Sequence, residues 1–187
     1  MRKISPLLCA IAAEFFVFGN VSLQQGEIIR EPIRQIEEKA AEPENYRIDD
    51  FSKDKENFLL ARMIMGEAED CIKTEKIGVG YTAINRLKEE YGSTLKKVIL
   101  EPFQYSCFNK GIRREALKNP LEYDFEEFMM DLAIAEGILS GEYKDPTKGA
   151  THYYNPKLVK KPHWTRMMKE VGRIKEGKRK SKHVFYR

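Results

Sequence analysis

A carboxylate stands where the spacing of its neighbours asks for an apolar side chain. In FLLARMIMGEAED, residues 58–70, a period of 3.6 residues places Leu60, Met63 and Ile64 on one helix face, and Glu67 falls on that face with them. An ionisable group on an apolar stripe is unfavourable unless it is paired or performs chemistry. At the edge of an apolar surface the charged form of a carboxyl is disfavoured. The expectation for Glu67 is therefore a raised pKa and a proton ready for general acid catalysis near neutral pH. Asp70 lies one turn further on and would share the face if the helix reached it.

The other residue types that could do chemistry are sparse. His152, His163 and His183 match no local metal motif such as HExxH, so a zinc site with Glu67 as general base would have to be gathered from distant segments. Each histidine also has an ordinary reading as a strand or loop residue. Cys9, Cys71 and Cys107 form no CxxC or Cys/His cluster, which argues against a zinc finger. Cys71 and Cys107 would be an even pair able to form a disulfide after export, and free thiols in a reducing compartment.

The elements that must position these groups follow from periodicity and punctuation. A first helix is expected over 53–69 with Ser52 as N-cap. A second is expected over 74–91, with Ile77, Tyr81, Ile84, Leu87 and Tyr91 along one stripe and Gly92 as its stop. Gly78, Gly80 and Ala83 inside it signal close approach by another element or a ligand. Asn85 lies beside that patch, which makes it a supporting or substrate-facing residue. A short helix over 94–100 stops before Pro102, FQYSCFNKG reads as a loop, and Asp124 with Glu127 forms a capping box for a helix over 125–139 closed by Gly141. ATHYY (150–154) and HVFYR (183–187) lean to β structure, giving an α+β fold, mainly helical with a small terminal sheet. In a strand, one of Tyr153 and Tyr154 faces inward and the other outward.

GEA at 66–68, NR at 85–86, FQYSCFN at 103–109, GATHYYNP at 149–156, Trp164 and KHVFY at 182–186 form an ordered set. Together they resemble the catalytic domain of the germination-type, SleB/CwlJ cell-wall hydrolases, over roughly residues 56–186. The resemblance implies a lysozyme-like domain related to lytic transglycosylases, with Glu67 as the catalytic glutamate. It implies that Gln104, Tyr105 and Ser106, and Tyr153, Tyr154, Asn155 and Pro156, stand at the family's other motif positions. Tyr153 and Tyr154 could line a saccharide site, with strand core as the alternative. Gln104 and Ser106 could bond N-acetyl or hydroxyl groups or brace their loop. Asn155 could bind a substrate amide or form a turn before Pro156. Trp164 is expected in the core. Asp70 is the candidate second carboxylate of an ordinary glycosidase, but the resemblance points to one glutamate acting twice. No metal or other cofactor is implied.

Bulk properties agree with an enzyme of one domain. The 187 residues include 42% hydrophobic and 33% charged residues, enough for a core and a soluble surface. The opening MRKISPLLCAIAAEFFVFGNVSLQQ, residues 1–25, reads as a signal peptide or short anchor, and hence as export. Residues 26–52 read as a charged linker with a short helix around 32–41, and 53–187 as the catalytic domain. Residues 157–187 carry 12 Lys and Arg against 2 Asp and Glu, a local +10, leaving −6 elsewhere to give the net +4. That tail is either a solvated face or a surface for an anionic cell-wall polymer beside the expected peptidoglycan glycan strands. No nucleic acid is expected, since no phosphate loop, recognition helix or finger spacing accompanies the charge. The alternatives to a glycan-cleaving enzyme are the zinc-dependent amidase and a non-catalytic wall-binding module.

Overall fold

The computed structural model describes residues 46–109 and 111–187. The chain divides into two units, Met1–Glu42 and Pro43–Arg187, and the described residues lie in the second. The leader, the helix around 32–41 and Cys9 lie outside the described residues. Tyr46 and Ile48, in the expected linker, already pack against the core. Among the described residues no helix is long and apolar enough to cross a membrane.

Among the described residues five helices carry the body: α1 (Glu56–Ala68), α2 (Lys73–Lys88), α3 (Leu95–Leu100), α4 (Ile112–Lys118) and α5 (Pro120–Leu139). The expected single stripe on α1 is too narrow a description. Residues 59–65 are all buried, because α1 is the central helix and touches all four others, α5 most extensively. Ser52 does not cap it. Asp50 instead caps a 3-10 turn over Phe51–Lys53, and α1 begins at Glu56.

The small residues of α2 admit protein. A Cβ on Gly78 would stand 2.6 Å from Ile174 Cδ1, and one on Gly80 would stand 2.5 Å from Ile138 Cδ1. Gly92 is not the stop of this helix. Glu90 takes the left-handed conformation (φ 59°) and Tyr91 N–H donates back to Arg86 O at 3.0 Å, closing it earlier. The Asp124 cap holds as expected: its carboxylate accepts from Glu127 N–H at 3.0 Å and its own extended backbone kinks α5 there. The helix α4 falls in a stretch that gave no periodic signal.

The sheet is three-stranded and antiparallel, ordered β1 (His152–Tyr154), β5 (Val184–Tyr186), β2 (Glu170–Gly172), with Tyr153 opposite Phe185. The basic run RIKEGKRKSK forms a hairpin of β3 (Lys175–Glu176) and β4 (Arg179–Lys180). It is docked rather than free: Glu176 accepts from the backbone N–H and hydroxyl of Thr74 in the first turn of α2.

Two buried charge networks tie the helices together. Arg62, fully buried, bonds Asp54 at 2.7 Å and the carbonyls of Leu117 and Tyr46. Lys76 meets Asp131 at 2.9 Å and also Glu127, so one ammonium faces two carboxylates, and Asp131 Oδ2 has no partner. Burial drives the Asp131 pKa up to about 7 against the pull of Lys76. Unfolded, this carboxyl titrates near ~3.9. The folded chain thus keeps a proton that the unfolded chain has released, and this group's contribution to stability falls as pH rises from about 4 to about 7. Thermal melts of wild type and Asp131→Asn across that range should differ in slope, with the variant flatter. Identical slopes would remove Asp131 as the cause.

Candidate active site

Glu67 occupies the last turn of α1, half-buried, and donors from two other segments converge on it. Cys107 N–H donates to Oε1 at 2.7 Å and Ser106 Oγ to the same oxygen at 3.0 Å. Tyr153 Oη donates to Oε2 at 3.1 Å, across 86 residues of sequence. The carboxylate on the apolar stripe is thus answered by three hydrogen bonds. Burial and the charge of Glu67 raise the Tyr153 phenol and the Cys107 thiol well above their ordinary values, so both stay protonated.

Local sequence explains the approach. At Gly66, beside Glu67, a Cβ would lie 2.4 Å from Cys107 Cβ and 2.9 Å from its Sγ. Only a bare backbone lets the 3-10 turn Ser106–Phe108 close on α1 and aim Cys107 N–H at the acid. Gly66→Ala is expected to destabilise by about 1–2 kcal/mol, overpacking outweighing the gain in helix propensity. It should also slow the reaction that Glu67 serves about 10-fold by lengthening one charge-assisted bond to its carboxylate. Urea unfolding and product release at a temperature where the variant is folded measure the two effects.

The strand alternation sorts the tyrosines. Tyr153 faces inward to Glu67, His183 and Phe185. Tyr154 faces outward with Trp164 and Tyr186, ring centroids 6.1 and 6.0 Å away. Gln104 is exposed, two residues from Ser106, next to Phe103, which is 87% exposed with φ 66°. Trp164 is half-buried, short of the core position expected. Asn155 makes a turn, its Oδ1 accepting from Lys157 N–H at 3.0 Å. Asn85 is buried and donates to Asp145 at 2.9 Å and Ala150 O at 3.0 Å. Through these bonds it braces the loop ahead of β1.

Asp70 does not share the Glu67 face. The helix ends at Ala68, and Asp70 is exposed with φ 58°. The histidines do not converge either. His152 packs on Trp164 and Tyr91 from the outer face of β1, and burial with the charge of Arg86 lowers its pKa to about 4. His163 is exposed, and His183 is buried against Glu75 at 2.9 Å. Cys71 and Cys107 are free thiols.

Sequence reasoning missed the Cys107 amide, because a backbone donor has no letter. It named Arg86 within the NR motif but gave it no role; the residue is buried 4.7 Å above the Tyr105 ring with its Nε donated to Thr151 O at 2.7 Å. Asp145 was missed as well. It accepts from Thr147 N–H and Gly149 N–H, and the turn-forming DPTKG could have announced it.

A helical body with its acid at the end of the central helix and a small antiparallel sheet closing over it is a lysozyme-like α+β fold. Residues 72–186 match the family model of the cell wall hydrolases, and the chain belongs to that family. The matched segment begins after Glu67. Among solved structures, the catalytic domain of the germination-specific lytic transglycosylase SleB from Bacillus anthracis superposes with a TM-score of 0.50 at 20% identity, covering 72% of this chain and 98% of that one. The catalytic domain of the Bacillus cereus SleB protein gives a TM-score of 0.47 at 19% identity, covering 76% and 96%. No curated protein sequence matches the chain.

Proposed function

We propose that the protein cleaves the glycosidic bond between N-acetylmuramic acid and N-acetylglucosamine in peptidoglycan, as a lytic transglycosylase with Glu67 as both acid and base. The observation that carries this reading is the three-donor grip on Glu67, with Asp70 turned off its face. Glu67 delivers its proton to the bridging oxygen as the bond to C1 breaks. The donors of Cys107, Ser106 and Tyr153 take up the charge left on the carboxylate. Glu67 then removes the proton of the muramic acid 6-hydroxyl, whose oxygen closes on C1. The product is a 1,6-anhydro sugar, the acid is restored, and no water is consumed. Phe103 and Gln104, exposed beside Ser106, meet the glycan.

The finer features of the reading follow from this substrate. The enzyme acts outside the cytoplasm, and its basic residues 157–187 add affinity for anionic wall polymers that salt should weaken. The test is mass spectrometry of fragments released from purified peptidoglycan. Anhydro-muropeptides are expected. Hydrated reducing ends would replace the transglycosylase with a hydrolase, and free stem peptides would overturn glycan cleavage altogether.

A further inference from the structure

Beside the Tyr153 ring, which packs on His183, three side chains from three separate segments come together. Cys71 stands in the turn between α1 and α2, Glu75 in the first turn of α2, and His183 just ahead of β5. Their donor atoms, one sulfur, one carboxylate oxygen and one imidazole nitrogen, all lie within 4.8 Å of one another. No other such group occurs among the described residues. The catalytic reading uses none of the three.

We propose that Cys71, Glu75 and His183 bind one zinc-class divalent cation, which fastens the segment leading into β5 to the start of α2. The donor set selects the metal. Thiolate with imidazole and one carboxylate suits zinc, whereas magnesium and calcium take oxygen donors. The spacing is close to what zinc requires: bonds of ~2.0–2.3 Å in a tetrahedron separate neighbouring donors by about 3.4 Å. His183 Nδ1 and Glu75 Oε1, now 2.9 Å apart, open by about 0.5 Å to admit the ion.

Supporting contacts are already in place. Glu75 Oε1 accepts His183 N–H at 2.8 Å, which holds the two ligands in register. Tyr153 and Phe185 wall the imidazole at centroid distances of 4.9 and 6.4 Å. Glu75 and His183 are buried while Cys71 is half-buried, so solvent is nearest the cluster on its thiol side. The nearby ammonium of Lys182 is exposed and free to swing into solvent. The role is structural: the ion grips the ring that packs on Tyr153, without touching Glu67.

The test uses the full chain, stripped of metal with a chelator and titrated with Co²⁺ and then Zn²⁺. One equivalent of Co²⁺ should raise a near-ultraviolet thiolate-to-cobalt charge-transfer band, and Zn²⁺ should bleach it. Cys71→Ser, conservative at a half-buried site, should lose the band and weaken Zn²⁺ at least about 100-fold, while a Cys107→Ser control keeps both. Zn²⁺ should also raise the unfolding temperature of the wild type and leave that of Cys71→Ser unchanged. Absence of the band, or its survival in Cys71→Ser, would overturn the proposal. These readouts are binding and unfolding, so their outcome is independent of whether the protein cleaves glycan.

Discussion

Glu67→Gln is expected to lower peptidoglycan cleavage by at least about 10³-fold, because in the proposed mechanism the same group gives and then takes a proton. Glutamine preserves the shape. Its carbonyl oxygen can still accept from Cys107 N–H and Ser106 Oγ, the two donors that share Oε1. The unfolding midpoint should therefore move little, and the loss should appear in kcat rather than KM. Release of soluble muropeptides by both proteins at equal concentration measures the effect. A variant retaining more than a tenth of the activity would show that Glu67 is not the acid and would send the search to other carboxylates.

The largest stability effect is expected at Arg62. Methionine there removes the partner of Asp54, itself buried, and strips donors from the carbonyls of Leu117 and Tyr46. Breaking a buried pair from one side costs about 3–5 kcal/mol. For a body of this size that corresponds to roughly 10–15 °C in unfolding temperature. The pair Arg62→Met with Asp54→Leu should recover part of the loss, since no buried charge is then left alone. Calorimetry on the two single variants and the double one gives the coupling directly. A single-variant shift under about 3 °C would mean that water reaches Asp54 and relieves it.

Much of this was legible in the chain because it is local. Helix spacing places Glu67 on α1, the cap at Asp124 fixes the start of the long segment of α5, and strand alternation separates Tyr153 from Tyr154. The glycines of α2 announced close packing, though not that Ile174 and Ile138 would supply it. What stayed hidden is what folding brings from afar. The apolar stripe of α1 gave no hint that Arg62 would be buried on the central helix, since a charged letter in FLLARMIM reads as the solvent side. Glu75 looks like a surface polar residue of a helix, and Asn85 stands out only for the small residues beside it. Their partners, His183 and Ala150, arrive from segments 108 and 65 residues away. The short strands β2, β3 and β4 carry too few residues for any period to show.

The placement of β5 makes the site depend on a segment remote from its acid. It is the middle strand of its sheet, yet it follows both neighbours in sequence. A chain cut after residue 182 keeps α1, the turn that binds Glu67 from one side, and the whole of β1. Without Val184–Tyr186, however, β1 and β2 have no strand to pair with. Tyr153 then lacks Phe185 and His183 at its back. The carboxylate and one of its three donors are thus held by segments more than a hundred residues apart, and loss of three residues of β5 would release the Tyr153 arm while leaving the Cys107 arm in place.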